Sequence, residues 1–261
     1  MSDYRIMSNN IWGQYFKNPV ESRTDDLLKV YKKYAPDVLG FQESDKYWHA
    51  GRMFNAIQGE YEFVRAPEEE KNYTSLLYKR DRFELVDSGY ILFDKTPDPS
   101  KSFMWGVLKD KNSGFKFGVG SLHYWWMTGP SHDVLRCRNS CDLLDEVRKI
   151  REKHGVTVLA FGDYNCFWQS EALKLLYANG GKNALDLAAK CSAVSSHHGD
   201  PIRDDDGRYH GKRTDNDKSK SLDHIIFFGD DFKVDEFRVV EDQCALDATD
   251  HSPIYADITV K

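Results

Sequence analysis

The chain has 261 residues, of which 40% are hydrophobic and 30% are charged. This composition supports a sizeable core and excludes global disorder, and the length fits a single domain spanning residues 1–261. The formal net charge of −6 excludes a strongly basic chain that binds nucleic acid through bulk charge alone. We see no signal-peptide or membrane-span pattern, and the five cysteines have no repeated spacing. We therefore expect a cytoplasmic protein with free thiols, no membrane span and no obligate protein partner.

Short apolar runs rich in β-branched and aromatic residues recur along the chain and predict strands. They lie at residues 4–8, 38–41, 61–64, 76–78, 83–93, 115–124, 156–161, 225–228 and 254–260. A first helix is expected after a capping box at residues 22–25 and ends before Pro36. A second runs from near Ser131 to Gly155, and a third follows Ser170. This mixed order predicts an α/β or α+β arrangement of layered sheets covered by helices.

Polar side chains stand at the ends of these predicted strands, at widely separated places in the chain. If the strands lie side by side, their ends converge on one edge of a sheet. Carboxylates, amides and imidazoles meeting there suit Mg²⁺ or Mn²⁺. Each residue taken singly is more often a turn residue, a helix cap or a structural histidine. The candidates are Asn10, Glu43, His123, Asp163, Asn165, Asp223, Asp250 and His251.

Six short motifs containing these residues occur in a fixed order. They are NNIWG at residues 9–13, GFQE at 40–43, SLH at 121–123, GDYN at 162–165, SLDHII at 221–226 and TDHSP at 249–253. Together they resemble the endonuclease/exonuclease/phosphatase superfamily of deoxyribonuclease-I-like proteins, and most of all its uncharacterised bacterial metal-dependent hydrolases. The resemblance covers nearly the whole chain. It implies a four-layer α/β sandwich, with two stacked mixed β-sheets flanked by helices and the site at one end.

The resemblance also implies a metal centre and an attacking water. Glu43 corresponds to the main ligand of Mg²⁺ or Mn²⁺, with Asn10 and Asp250 close by, directly or through water. Asp163 corresponds to the group that orients or deprotonates the water. Asn165 is expected to hold a phosphate oxygen beside it.

Further residues are implied to contact the phosphate and the rest of the substrate. His251 corresponds to the partner of the scissile phosphate, and Asp223 is expected to orient and charge its imidazole. His123 matches a second phosphate-facing histidine of the nuclease and sphingomyelinase branches. Trp125 and Trp126 follow it after Tyr124, where an indole can stack on a base or accept a lipid or sugar face. Packing of at least one of these tryptophans in the core is the alternative.

The sequence therefore predicts a Mg²⁺- or Mn²⁺-dependent phosphoric ester hydrolase that uses metal-assisted attack of water. A phosphodiester is favoured because His123 and His251 both match the diesterase branches. Trp12, where the apurinic-endonuclease branch has an acidic residue, disfavours abasic-site repair. Nucleic acid, phospholipid and small phosphodiesters are the candidate substrates. The alternatives are a phosphomonoesterase of the same fold, a catalytically silent member that binds phosphate ligands or a protein, and a serine hydrolase using Ser252.

For each of two neighbouring segments, the sequence allows two interpretations. HHG at residues 197–199 matches a His-Gly motif of the bacterial relatives, or it is a surface turn. Residues 200–220 are dense in charge and glycine, which is typical of a solvated loop or of a rim that faces the substrate.

Overall fold

This computed structural model of the chain describes residues 2–14, 18–65, 73–93, 96–98, 100–192, 194–214 and 216–261. The described residues form fifteen β-strands and seven α-helices. The strands are β1 (Tyr4–Asn10), β2 (Val38–Gln42), β3 (Tyr61–Phe63), β4 (Leu76–Lys79), β5 (Phe83–Leu92), β6 (Ser102–Asp110), β7 (Lys116–His123), β8 (Val158–Asp163), β9 (Gly181–Asn183), β10 (Lys190–Cys191), β11 (Ile202–Arg203), β12 (Tyr209–His210), β13 (Asp223–Phe228), β14 (Phe232–Val239) and β15 (Ile254–Val260). The helices are α1 (Glu21–Tyr34), α2 (Lys46–Ala50), α3 (Arg52–Ile57), α4 (Pro130–His154), α5 (Glu171–Ala178), α6 (Ala184–Leu187) and α7 (Gln243–Ala248).

Most of the strands belong to two large sheets. The first has seven strands in the order β10-β14-β15-β1-β2-β4-β3, and the second has six in the order β5-β6-β7-β8-β13-β9. Both sheets are mixed, because β1 pairs parallel with β2 and β7 pairs parallel with β8, while antiparallel pairs surround them. Strands β11 and β12 form a separate ribbon within residues 200–220.

Three hydrophobic clusters order these elements into four layers. The first lies between the sheets, where Ile6 and Val38 meet Phe161 and Ile225. The sheets approach so closely that a Cβ added at Gly40 would stand 2.4 Å from a ring carbon of Phe161. The second cluster packs α4 and α5 on the outer face of the six-stranded sheet, and the third packs α1, α2, α3 and α7 on the seven-stranded sheet. The predicted four-layer α/β sandwich is therefore confirmed.

The sequence signals predict the ends of two helices correctly and the start of a third incorrectly. Helix α4 begins at Pro130 and is closed by Gly155, whose φ of 65° is the left-handed conformation that glycine adopts without strain. Helix α5 is capped by Ser170, whose Oγ accepts the Leu173 N–H at 3.3 Å. The capping box at residues 22–25 is wrong, because α1 begins earlier and the Ser22 hydroxyl donates to the carbonyl of Pro19.

Two further expectations concern cysteines and membranes. All five cysteines, which lie in the described part of the chain, are free. Among the described helices, none combines the length and the apolar character that crossing a membrane requires.

Candidate active site

The strand register brings the predicted site residues to one end of the sandwich. In the seven-stranded sheet, Asn10 lies opposite Gln42 on the parallel strand β2, so Asn10 and Glu43 leave the sheet at the same edge. Strand β15 runs antiparallel to β1, which returns the loop at residues 249–253 to that edge. In the six-stranded sheet, His123, Asp163 and Asp223 lie opposite one another on β7, β8 and β13. These residues need no long loops to meet.

Asp163 lies at the centre of this end and is only 1% exposed. Its Oδ1 accepts the backbone N–H of Asn165 at 2.8 Å, and its Oδ2 accepts the side-chain amide of Asn10 at 3.1 Å. The same Oδ2 lies 3.4 Å from Nε2 of His123 and 3.9 Å from Nε2 of His251. Burial opposes the charge, but His251, His123 and the Asn165 N–H outweigh it and lower the pKa of Asp163. Asp163 is therefore an ionised acceptor at neutral pH.

His251 is held by a carboxylate on its other side. Its Nδ1 lies 2.7 Å from Oδ2 of Asp223, and both side chains are buried. Burial disfavours the imidazolium, but Asp223, Asp163 and Asp250 together raise the pKa of His251 well above its usual value. The result is a cation whose Nε2 points toward Asp163, which suits binding of a phosphate oxygen.

A second carboxylate centre lies beside the first. Glu43 accepts the Asn10 amide on Oε1 at 3.1 Å and the Gly13 N–H on Oε2 at 2.9 Å. Burial, with the nearby Glu43 carboxylate adding to it and His251 opposing it, raises the pKa of Asp250 to about 7. Two neighbouring carboxylates, one of which disfavours the charge of the other, form an oxygen-rich donor set that fits a hard divalent cation such as Mg²⁺ or Mn²⁺.

Donor atoms are also dense around His251. In the described residues, ligand atoms of His197, Asp250 and His251 lie within 4.8 Å of one another, and so do those of Asp163, Asp223 and His251. His251 and Asp163 already form a cation–anion pair, so the acceptor oxygens around Glu43 and Asp250 are the donor set that remains for a cation.

These groups open into a cavity of about 520 Å³. Most of the predicted site residues line it, whereas Asn10 and Asp223 stand behind it and hold the lining residues through hydrogen bonds. The lining residues are Trp12, Glu43, Tyr73, Asp98, Ser100, Lys101, His123, Trp126, Asp163, Asn165, His197, Asp200, Leu222, Asp250 and His251.

The structure separates the two tryptophans that follow His123. Trp126 is 55% exposed and lines the cavity, whereas Trp125 is only 5% exposed and is absent from the lining. The Trp125 indole N–H donates to Nδ1 of His132 at 2.8 Å, so its polar atom is satisfied in the interior. Of the pair, only Trp126 is placed to meet a substrate.

Asn165 lies beside Asp163 in a left-handed backbone conformation, which asparagine tolerates better than most residues. Its φ of 48° lies in the left-handed region, and its amide Nδ2 donates to the Tyr124 carbonyl at 3.1 Å. One N–H of this amide is thereby fixed, and the second is available to the cavity that Asn165 lines.

Lys101 is a site residue that the sequence did not reveal. It is 4% exposed, its Nζ lies 3.1 Å from Nε2 of His123, and it is 3.9 Å from Oδ2 of Asp98. Burial, although Glu43 and Asp98 oppose its effect, lowers the pKa of this lysine. A single lysine before a strand is ordinarily exposed, so nothing in its local sequence distinguishes it.

The HHG motif contributes to the site and to its support. His197 forms an antiparallel bridge with His251, and the two rings stand 4.8 Å apart. His198 is buried and links the Leu246 carbonyl to the Ser252 hydroxyl, at 3.2 Å on each side. This arrangement engages Ser252 in structure, away from the cavity lining, and gives no support to a serine nucleophile.

A four-layer sandwich with an ionised carboxylate, an imidazolium and paired acidic groups at one end has the groups that can support hydrolysis of a phosphoester. Residues 7–251 match the Endonuclease/Exonuclease/phosphatase family, and the chain belongs to that family. Members of this family hydrolyse phosphoesters.

Similar proteins and structures agree with this assignment. Human nocturnin is 24% identical over 216 residues, which is 74% of this chain and 49% of nocturnin, so the chain spans about half the length of that relative. The mannosyl-6-phosphatase Bt3783 of Bacteroides thetaiotaomicron superposes with a TM-score of 0.78 at 15% identity, covering 98% of this chain and 100% of that one. TDP2 of D. rerio, complexed with a single-strand DNA product, gives 0.70 at 16%, covering 98% and 99%. At these identities the superpositions show a shared fold.

Proposed function

We propose that the chain is a Mg²⁺- or Mn²⁺-dependent phosphoric ester hydrolase, with phosphodiesters as its favoured substrates. The observation that carries the proposal is the pairing of an ionised Asp163 with a charged His251 across 3.9 Å, at the edge of a cavity. Hydrolysis of a phosphoester needs an aligned water and relief of charge on the phosphate oxygens, and this anion and cation can contribute one of these each.

In this proposal, Asp163 positions the attacking water. Its carboxylate is fixed by Asn10 and by the Asn165 N–H, so its remaining lone pairs have a defined direction. A carboxylate with a lowered pKa is a weak base, so it orients the water first. Its proton passes to Asp163 as the water oxygen bonds to phosphorus and the bond from phosphorus to the leaving oxygen breaks.

The phosphate binds to the cationic and hydrogen-bond-donating groups of the site. His251, kept charged by Asp223, donates from Nε2 to a non-bridging oxygen of the phosphate. Asn165 donates its second amide N–H, and His123 with Lys101 adds further donors that line the same cavity. These groups are fixed before substrate arrives, so little reorganisation is needed as charge develops on the phosphate oxygens.

Glu43 would be the main ligand of the metal ion, and Asn10 and Asp250 would complete the set of ligands directly or through water. A bound Mg²⁺ or Mn²⁺ supplies Lewis-acid relief of the charge on the phosphate and the leaving oxygen. Within the chain, Asn10 joins the two halves of the site, because its amide donates to both Glu43 and Asp163 at 3.1 Å.

The substrate's leaving portion meets a partly aromatic rim. Trp126, Trp12, Tyr73 and Leu222 line the cavity beside the charged groups. Such a rim suits a nucleobase, a sugar face or a lipid chain. A phosphomonoesterase is the second candidate, because Lys101 adds a cation that matches the extra charge of a monoester. The Bacteroides phosphatase of the same fold supports this alternative.

Hydrolysis of bis-p-nitrophenyl phosphate with Mg²⁺ or Mn²⁺, compared with EDTA, tests the proposal. We expect turnover that EDTA abolishes, with p-nitrophenyl phosphate cleaved more slowly. We expect Asp163→Asn and His251→Ala each to reduce turnover at least 100-fold, about 2.7 kcal/mol of transition-state stabilisation, with folding intact.

The outcomes separate the candidates. Turnover of the monoester alone would identify a phosphomonoesterase. Cleavage that survives EDTA would refute the requirement for a metal ion. A near-wild-type rate in purified Asp163→Asn or His251→Ala would refute the role of the substituted residue. A silent binder would cleave neither ester with either metal.

A further inference from the structure

Arg23 of helix α1 is a charged residue buried beneath the site, at 1% exposure. A guanidinium has five N–H donors, and here five hydrogen bonds run to main-chain carbonyls. In the described part of the chain, no ion pair joins Arg23 to a carboxylate. The acceptors are the carbonyls of Ile11 (2.9 Å), Ala248 (2.8 Å), Trp12 (2.6 Å), Asn18 (3.2 Å) and Pro19 (3.4 Å).

Aromatic rings enclose this guanidinium. The centroid of the Trp12 ring lies 5.0 Å from its central carbon and that of Trp48 lies 4.9 Å from it. A planar cation between indole faces gains cation–π attraction, and its carbonyl partners replace water. Burial lowers the pKa of Arg23 to about 10, which leaves it protonated at neutral pH.

Two of these carbonyls belong to peptide units whose N–H groups contact the proposed metal centre. The Ile11–Trp12 unit gives its carbonyl to Arg23 and its N–H to Oδ1 of Asn10, at 3.1 Å. The Trp12–Gly13 unit gives its carbonyl to Arg23 and its N–H to Oε2 of Glu43, at 2.9 Å. A trans peptide is planar, so fixing the direction of its C=O also fixes the direction of its N–H.

The backbone between these two units needs such a support. Trp12 has a φ of 55°, in the left-handed region that costs a bulky residue free energy. Because both carbonyls that flank this residue are bound by one rigid guanidinium, the strained turn is held in a single orientation.

The same guanidinium reaches the other segment of the site. Its bond to Ala248 lies at the end of α7, immediately before Thr249. The Thr249 hydroxyl donates to the Asn10 carbonyl at 2.7 Å and accepts the His251 N–H at 3.3 Å. Arg23 thus connects the turn that follows β1 with the loop that carries Asp250 and His251.

We propose that Arg23 is a positioning residue for the cation site, which orients Asn10 and Glu43 through two consecutive peptide units. The inference rests on the proposed function for the identity of the cation. It adds a residue that contacts neither metal nor substrate, and it predicts that the affinity for the cation depends on the fork shape of the side chain.

The test compares Arg23→Lys with Arg5→Lys in the full chain. Arg5 lies at the other end of β1 and bonds to Asp257 and the Tyr34 carbonyl, so its variant controls for a general loss of stability. Mn²⁺ binding is measured by electron paramagnetic resonance of the free ion, and stability by urea denaturation. We expect Arg23→Lys to bind Mn²⁺ at least 10-fold more weakly, and Arg5→Lys to bind it as the wild type does.

A second variant keeps the test independent of folding defects. In Arg23→Ala, low-millimolar guanidinium chloride should restore part of the Mn²⁺ affinity by filling the vacated site, whereas NaCl at the same ionic strength should not. Wild-type Mn²⁺ affinity in folded Arg23→Lys would overturn the inference and leave Arg23 a purely structural residue. So would Arg23→Ala without rescue.

A metal-independent readout separates this inference from the proposed function. The side-chain amide signal of Asn10 in ¹⁵N NMR of EDTA-treated protein should shift in Arg23→Lys and stay in place in Arg5→Lys. If the wild type binds no Mn²⁺, the proposed function fails, and this signal still decides the positioning role. An unmoved Asn10 signal would overturn it.

Discussion

Replacing Asp223 by asparagine should remove the charge from His251 without removing the shape of its partner. The carboxylate lies 2.7 Å from Nδ1 of His251 in a buried contact, and it is the strongest influence that raises the pKa of that histidine against burial. In Asp223→Asn the burial remains and this attraction is lost. We therefore expect the pKa of His251 to fall and the imidazole to become neutral at a lower pH.

The contact geometry sets the size of the effect. Opposite charges whose centres are about 4 Å apart interact by about 4 kcal/mol at an effective dielectric constant of about 20. Breaking a buried pair by removing one partner costs about 3–5 kcal/mol in measured cases. We expect kcat to fall about 100-fold at pH 8, which corresponds to about 2.7 kcal/mol.

The sign of the pH dependence follows from the raised pKa. A histidine whose pKa is higher in the folded protein than the usual 6.5 adds stability that is fully present below pH 6.5. This contribution is lost as the pH rises through the folded-state pKa. Asp223→Asn should therefore be less stable than the wild type at neutral pH, and the alkaline limb of its rate profile should move to lower pH.

His251 can be followed directly by NMR titration of EDTA-treated protein with ¹⁵N-labelled histidine, beside rate profiles from pH 5 to 10. Asp257→Asn is the matched control, because Asp257 lies in the middle of β15 and pairs with Arg5, away from the cavity. An unchanged His251 titration in Asp223→Asn would refute the reasoning, as would an equal shift in the control.

Four further substitutions test the cavity and the core. Lys101→Met should raise KM about 10-fold with a smaller loss of kcat in steady-state kinetics, since its Nζ lies beside His123 in the cavity; an unchanged KM would contradict a phosphate contact. Trp126→Ala should raise KM for aryl diesters at unchanged stability. Trp125, at 5% exposure, is buried, so Trp125→Ala should lower the free energy of unfolding by about 3 kcal/mol. Equal urea denaturation curves for these two variants would show that both indoles face solvent. Gly40→Ala should cost about 2 kcal/mol, because its Cβ would stand 2.4 Å from the neighbouring ring; wild-type stability would show that the sheets can move apart.

Local pattern was sufficient to predict layered sheets covered by helices, with polar residues at the strand ends, whereas the four-layer sandwich came from the family resemblance of the motifs. Asp163 and Asp223 each adjoin an apolar run, and neighbouring strands then place such residues at one edge. The motifs supplied the identity of the strands that had to be neighbours. Apolar periodicity alone leaves the register open, although the register decides that His123, Asp163 and Asp223 lie in one row.

The other functional residues could not be predicted, because their roles depend on burial by distant parts of the chain, which local sequence does not encode. Arg23 lies in an ordinary amphipathic helix, and its five carbonyl partners come from segments that are up to 225 residues away. Lys101 is buried only because β6 pairs with β7, which places Ser102 opposite His123. Trp125 and Trp126 are identical in type and adjacent, so only the packing against α4 could distinguish the buried indole from the exposed one.

The strongest argument for the proposed roles is that two aspartates near the same histidine have pKa values displaced in opposite directions. Asp163 is surrounded by donors and imidazoles, so its pKa is lowered in spite of burial. Asp250 faces Glu43 as well as His251, so burial and a like charge raise its pKa to about 7. Environments that separate the pKa values of two identical groups assign them different chemistry. In the proposed function, the ionised Asp163 therefore positions an uncharged water, whereas Asp250 and Glu43 would hold a divalent cation that removes their mutual repulsion.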